Sequence, residues 1–460
     1  MERFTLAQAA AWTKGEARGT AELTAVSTDS RQIPTEALFL PIRGERFDAH
    51  DFIAKAIENG AAAVVSHRQN EEYPVPSLYV ENTSQALLDL AGGYREMCGG
   101  KVVGVTGSVG KTTTKELLYA VLKQKFNAQK TEGNLNNEVG LPLTLLRMMR
   151  DTEVMVAEMG MNHFGEISRM TAAARPDIAV ITNIGTSHIE FLGSREGICK
   201  AKLEILEGLQ KDGYAVLCGD EPLLWDKRAQ LGCRVVTYGM ENCECDLTAC
   251  LHDDGTFDII NNSLPAASLP AGGRFTAKLS IPGAHNVLNA LAAAVVGLLL
   301  GETPEQIAAG LQTYEASGLR QNIYEQDGYQ IYADCYNASP DAMEATLAVL
   351  GTMAPEGRRF AVLGSMLELG GYAEEVHPRA GPAAARYADA LYAYGPDADA
   401  MVAGAKEKGM DRAYAFADQA ALVAALRQDA KKGDALLFKG SRGMRMEQAL
   451  KLFLGEDVEE

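Results

Sequence analysis

Long apolar runs are missing from this chain. The longest candidate, ALAAAVVGLLLG from Ala290, is too short to span a bilayer and suits a buried helix. The opening stretch, MERFTLAQAAAWTKGEARG, is charged and amphipathic and lacks the apolar core of a signal peptide. Positive charge is scarce as well: 43 Lys and Arg stand against 61 Asp and Glu, a net charge of −18. That balance argues against a broad nucleic-acid or anionic-membrane surface, while leaving room for a local phosphate site. The eight cysteines are scattered and read as free thiols of a reducing cytoplasm. The one close pair, Cys243 and Cys245, has no second pair nearby, so a structural reading is preferred to a metal site. No internal repeat or low-complexity tract is present. The expectation is a cytoplasmic monomer with no transmembrane segment and no nucleic-acid partner.

What is there is enough for several cores. A chain of 460 residues, 47% of them hydrophobic, suggests two to three domains. The expected division is 1–98, 99–316 and 317–460. In the first unit LFLPIRG and AAAVVSHR read as short strands, and HDFIAKAIENGA as a helix closing on glycine. SLYVENTSQALLDLAGGYREM reads as a strand, a helix start at Thr83 and Ser84, and an exit helix, with CGGK as the joint. The second unit alternates helices with the apolar runs KVVGVTG, VMVAEMG, DIAVITNIG, YAVLCGD and RVVTYG, which predicts a mainly parallel sheet covered on both faces. DLTACLHDDGTFDIINN and GGRFTAKLSIPG predict an antiparallel excursion before the buried helix at HNVLNALAAAVVGLLLG and an amphipathic one at TPEQIAAGLQTY. The third unit, with strand candidates YQIYADCYN, RRFAVLGSM, ADALYAYG, RAYAFAD and GDALLFKGSRG, is again α/β.

The stretch VVGVTGSVGKTTTKELL from Val102 carries the chemistry. It fails the usual phosphate-loop spacing of Gly, four residues and Gly-Lys-Ser/Thr, because Val105 stands six before Lys111. Yet Gly107 and Gly110 let the backbone curl around an anion, and a helix start adds N–H groups and a favourable dipole. Lys111 adds a mobile charge and Thr112 a hydroxyl able to reach Mg2+. A plain strand-turn-helix gains nothing from Gly-Lys-Thr there. Glu158 ends the next apolar strand, where open α/β sheets bind ligands, and could hold the metal opposite Thr112. His188 ends a third such strand and suggests a role near the metal. Lys200 and Lys202, on a helix beyond it, read as solvated from the residues alone.

The shortened loop TGSVGKTTTKE resembles that of the Mur ligases, ATP-dependent amide-bond ligases of bacterial cell-wall synthesis. The resemblance covers most of the chain. TEGNLNNEVGLPLTLL from Thr131, EMGMNHFGEI from Glu158, TNIGTSHIEFLGS from Thr182, GAHNVLNALAA from Gly283, DCYNASPDAM from Asp334 and FKGSRG from Phe438 are similar to the members that attach D-alanyl-D-alanine to UDP-MurNAc-tripeptide. It implies three domains: a small α/β nucleotide-sugar domain, a central P-loop ATPase with a mainly parallel sheet, and a C-terminal Rossmann-like domain.

The resemblance also implies site residues. Gly107, Ser108, Val109, Gly110, Lys111, Thr112 and Thr113 would wrap the ATP phosphates. Thr112 and Glu158 would bind one Mg2+ and His188 would help place a second. Lys202 stands where the family has an N-carboxylated lysine, a carbamate able to hold Mg2+; this reverses its solvated reading, and Lys200 stays solvated. Asn286 and Asn289 match the adenine-side pair, with packing amides as the bland alternative. Arg320, Asp334 and Asn337 would bring the third domain onto the nucleotide. Ser30 and Arg31 fall where the nucleotide-sugar is held, and Asn134, Asn136 and Asn137 would face the sugar-peptide. Lys439, Ser441 and Arg442 form a basic turn that would read the dipeptide or the pentapeptide end.

Two departures stand out: DAH with Ala49 in place of the family's glycine, and GSMLELG with Ser365 in place of aspartate, Glu368 being retained. The implied reaction activates the tripeptide carboxylate as an acyl phosphate, which the dipeptide amine attacks. Competing readings are another Mur-type amino-acid ligase, a folylpolyglutamate synthase, and a non-catalytic nucleotide-binding protein. No motif separates meso-diaminopimelate from L-lysine as the third residue of the peptide.

Overall fold

The computed structural model describes residues 1–44, 47–315, 320–354 and 356–457. Among the described residues three large sheets with flanking helices follow one another along the chain, beside a small antiparallel pairing of Phe4–Thr5 with Glu22–Leu23. The first, five-stranded, runs edge to edge through Glu16–Arg18, Ser77–Tyr79, Ala63–Ser66, Ala37–Phe39 and Ala25–Ser27, parallel except at the Glu16–Arg18 edge. The exit helix Thr83–Cys98 begins at Thr83, as expected; the Asn82 side chain accepts from the Gln85 N–H and is the cap, while Thr83 is helical and buried. The boundary expected at 316/317 falls outside the described residues.

The second sheet has nine strands in the order Arg274–Lys278, Thr256–Asn261, Leu247–Leu251, Arg234–Gly239, Tyr214–Cys218, Ile178–Ile181, Lys101–Thr106, Val154–Glu158 and Ala128–Lys130. The last three of the Arg274 end are antiparallel to one another, the expected excursion, and the remainder are parallel. Lys101–Thr106 sits inside the sheet, with later strands added on both sides. The chain therefore reverses its direction of growth there, and crevices at the carboxyl ends of such strands hold ligands. Its residues Val102 to Thr106 are all buried, which is why the run reads as continuously apolar.

The third sheet runs Asn322–Gln326, Tyr329–Asp334, Ala435–Lys439, Arg359–Gly364, Ala390–Tyr394 and Ala413–Phe416, parallel apart from the first strand. One continuous apolar cluster joins the first and second units, from Phe4 and Leu87 through to Val103 and Val295. The third unit keeps separate cores on the two faces of its own sheet. Among the described residues no helix is long and apolar enough to cross a membrane.

Candidate active site

The glycine loop leaves the strand Lys101–Thr106 and enters the helix Lys111–Leu122. Gly107 has φ +153°, and a Cβ there would run into Thr182 Oγ1. Gly110 caps the helix with φ +84°, and its Cβ would meet the Asn289 side chain. Both glycines are therefore required by conformation and by close approach. The ladder register sets Glu158 opposite Val105 and Ile181 opposite Thr106, so three strand ends converge on the loop. Thr112 Oγ1 lies 3.0 and 3.2 Å from the two Glu158 carboxylate oxygens. Glu158 is buried and also accepts from Asn136 Nδ2 at 2.8 Å. A buried carboxylate beside a hydroxyl is an oxygen donor set of the kind a hard divalent cation takes. Lys111 Nζ donates to the loop carbonyls of Gly107 and Ser108, at 2.7 and 3.2 Å.

Across from the loop stands the third sheet. Asp334 and Lys439 are register partners at the ends of adjacent strands and form a buried ion pair. Lys439 Nζ also donates to the Asn337 carbonyl at 3.1 Å. The expected basic turn is thus corrected for Lys439, which is a buried strand residue neutralised by Asp334. Arg320 stacks on Tyr336, 3.7 Å from the ring centroid. Between the two sheets lies a cavity of about 320 Å³, lined by Ser108 to Thr113, Asn136, Asn137, Glu158, His188, Arg320, Asp334, Asn337 and Lys439. Thus most of the expected site converges on one cleft between the second and third units.

The remaining expected residues do not line it. Asn286 and Asn289 are buried on one helix face: Asn286 Nδ2 donates to the Pro282 carbonyl at 2.7 Å, and Thr114 Oγ1 donates to Asn289 Oδ1 at 3.2 Å. The exposed Asn134 is on the adjoining loop; Asn137, which does line the cleft, accepts at its Oδ1 from the Val139 and Gly140 N–H groups. Ser30 belongs to the first unit, where its carbonyl accepts from Asn59 Nδ2. Arg31, beside it, is exposed and paired with Asp29 at 2.8 Å. Ser441 is buried and its Oγ accepts from the Leu367 N–H, whereas exposed Arg442 pairs with Glu447.

Electrostatics distinguish the basic residues in and around the cleft. Burial pushes the Lys111 amine down to about 8, helped by Arg320 and opposed by Glu158. Lys202 is buried, and desolvation together with the like charge of Lys111 holds its amine well below the usual lysine range. Lys200 is exposed, its ammonium over the Phe164 ring. His188 is pushed down to about 3 by burial and by Lys111 and Lys202, so it is neutral at pH 7. Its Nδ1 lies 3.1 Å from a Glu368 oxygen of the third unit but lacks hydrogen-bond alignment. Both residues carry left-handed backbones, at φ +63° each.

The two departures have physical explanations. Ala49 opens the short helix Ala49–Phe52 without a positive φ, so no glycine is needed. Ser365 Oγ accepts from the Asp397 N–H at 3.1 Å, a bond an aspartate could also make. Sequence reasoning missed Lys115, buried between Glu116 and Glu158 at 3.1 and 3.8 Å, and the pair Thr182 and Asn183. For Lys115 the signal was its spacing, one turn beyond Thr112 on the helix.

The sequence matches the family descriptions "Mur ligase family, catalytic domain" over residues 22–95, "Mur ligase middle domain" over 105–297 and "Mur ligase, glutamate ligase domain" over 319–442. The chain belongs to the Mur ligase family. Among curated members of that family it is 40% identical to the UDP-N-acetylmuramoyl-tripeptide--D-alanyl-D-alanine ligase of Bacillus subtilis, over 93% of this chain and 92% of that protein. It is 35% identical to the Escherichia coli enzyme of the same name, over 98% of each. Crystal structure I of MurF from Acinetobacter baumannii superposes with a TM-score of 0.89 at 30% identity, covering 99% of this chain and 100% of that one. The Mur ligase MurF of Thermotoga maritima, solved in complex with ADP, gives 0.83 at 33% identity over 94% and 97%.

Proposed function

We propose that this protein is an ATP-dependent amide-bond ligase that joins D-alanyl-D-alanine to UDP-MurNAc-tripeptide, giving the pentapeptide precursor of peptidoglycan. The observation that carries the reading is the cleft itself: a glycine loop and a Thr112–Glu158 pair on one sheet face Arg320, Asp334 and Asn337 on another. The near full-length similarity to ligases of that name supports the substrate assignment. The division at 1–98, 99–316 and 317–460, a cytoplasmic location and a monomeric state belong to the same proposal.

In this reading the N–H groups at the start of the helix Lys111–Leu122 and the Lys111 ammonium receive the ATP phosphates. Thr112 and Glu158 are the fitting oxygen donors for one Mg2+, and neutral His188 suits a second; bound metal neutralises charge on the transferring phosphoryl group. Lys202, buried beside Lys111, is the position proposed for the carbamate. The cost of a buried unpaired ammonium supports an amine that is neutral and open to CO2. Arg320 meets phosphate, Asp334 a ribose hydroxyl, and Asn286 and Asn289 the adenine side. Ser30, Arg31 and the asparagines of the 134–137 loop hold the nucleotide-sugar peptide, and Ser441 and Arg442 the dipeptide end.

The γ-phosphoryl group passes to the terminal carboxylate of the tripeptide, and the dipeptide amine attacks the resulting acyl phosphate, expelling phosphate. No covalent nucleophile from the protein is required; the cleft positions the reactants and excludes water. Incubation with ATP, Mg2+, each tripeptide and D-alanyl-D-alanine tests the reading by the mass of the product. The pentapeptide is expected. A product carrying a single added amino acid, formed only from a shorter precursor, would instead identify a neighbouring ligase.

A further inference from the structure

We infer that Thr182 and Asn183 are positioning residues for ATP, bracing the shortened glycine loop from the neighbouring strand; this rests on the ATP-dependent ligase reading. The loop has only two residues, Ser108 and Val109, between its glycines, against four between the glycine and Gly-Lys of the longer phosphate loop. So short a loop cannot satisfy its own backbone. The strand Ile178–Ile181 supplies the partners where it ends. Asn183 Oδ1 accepts from the N–H groups of both Ser108 and Val109, at 3.1 and 2.9 Å. The Asn183 carbonyl accepts from Ser108 N–H as well, at 3.2 Å. Thr182 Oγ1 donates to the Val109 carbonyl at 2.6 Å, and the Thr182 N–H donates to Thr106 at 3.0 Å. The loop is thus held on both its donor and its acceptor sides. Gly107 is what admits Thr182 this closely.

The brace divides the loop's donors. Ser108 and Val109 turn their N–H groups to Asn183. That leaves the first turn of the helix Lys111–Leu122, which has no side-chain cap, as the set of backbone donors facing the cleft. The Ser108 hydroxyl, buried and without a partner, lines the same cleft. Asparagine fits this task because it accepts two N–H groups without placing a negative charge beside phosphate. Without the brace, ATP would have to order the loop as it binds, and the ordering would be subtracted from its affinity.

The test is a comparison of full-length wild type, Asn183→Ala and Thr182→Val, using ADP titration and steady-state kinetics with all three substrates. Asn183→Ala is expected to weaken ADP binding and raise the KM for ATP about ten-fold, with kcat at saturating ATP and the other two KM values within about three-fold. Thr182→Val removes one hydrogen bond at nearly constant shape and is expected to act in the same direction, about three-fold. Unchanged or tighter ADP binding by both variants would overturn the inference, as would a uniform rise in all three KM values with a lowered melting temperature. If Asn183→Ala does not fold, Thr182→Val alone decides between these outcomes. Failure of the wild type to bind ADP or ATP would instead remove the ligase reading on which the inference rests.

Discussion

Lys111, half-buried at the cleft, and Glu302, fully buried, show how differently two desolvated groups behave in this protein. Lys111 has a ready set of acceptors in the loop carbonyls and faces the cleft, so its removal affects chemistry more than folding. Lys111→Ala is expected to lower ATP-dependent turnover by about a thousand-fold or more, the scale seen when a charge-stabilising donor is lost, with an unchanged far-ultraviolet spectrum. Turnover within ten-fold of wild type would contradict the assignment. Glu302 lies far from that role. It precedes the capping Thr303 of the helix Pro304–Gln312, is fully buried, and neither carboxylate oxygen has a partner. An apolar residue in that place would pack on Ile307 as a hydrophobic staple. Burial pushes the Glu302 carboxyl from 4.5 up to about 7, opposed by Lys125. Its folded form therefore binds the proton more tightly than the unfolded chain. The neutral carboxyl is tolerated below the unfolded value, and stability falls as pH rises through the folded one. Glu302→Leu is expected to stabilise the protein by on the order of 2 to 3 kcal/mol at pH 8, shrinking towards pH 5, in denaturant titrations. An equal change at both pH values would show that ionisation is not the cause.

At the scale of elements, the buried parallel strands were readable because each is a nearly unbroken apolar run between turn residues. The half-exposed edges were not: Asn322–Gln326 and Ala128–Lys130 carry no apolar run, the first held in a hairpin with Tyr329–Asp334 and the second paired with the more distant strand Val154–Glu158. The loop at Gly107 was legible from composition and spacing, and so was Glu158 at a strand end. Lys202 was not, because a helix lysine is ordinarily solvated and only the packing of Arg195–Leu203 turns it inward while leaving Lys200 outside. Lys439 was misread for the opposite reason. KGSRG looks like a turn, and its partner Asp334 is over a hundred residues away. Asn183 stands in the stretch TNIGTSHIEFLGS but its role was not legible there, since it consists of contacts to another strand's loop. Ser365 belongs to this scale too, tying the strand Arg359–Gly364 to the start of the helix Ala398–Glu407 through the Asp397 N–H. Ser365→Ala is expected to cost about 1 kcal/mol by leaving that N–H unpaired, whereas Ser365→Asp should keep most of the stability. Equal losses in the two variants, measured by thermal unfolding, would contradict the account.

The whole molecule is built unevenly. The first and second units are joined by one continuous apolar cluster, the first keeping a smaller core of its own around Phe39, Ile53 and Val64. The third unit has cores of its own and meets the second largely through polar contacts, among them the Tyr372 hydroxyl on the Gly193 carbonyl at 3.1 Å and Gln321 beside His285 at 3.3 Å. Units joined in this way move relative to one another by default, and the cleft between them is where ATP, carboxylate and amine are to be brought together. The central claim is that cleavage of the ATP phosphoanhydride, by phosphoryl transfer to the tripeptide, is coupled to amide formation with the dipeptide. Phosphate release with ATP, Mg2+ and UDP-MurNAc-tripeptide, measured with and without D-alanyl-D-alanine, tests it most directly. The account predicts release that depends on the dipeptide, matched mole for mole by pentapeptide. Release at the same rate without the dipeptide, or none under either condition, would contradict it.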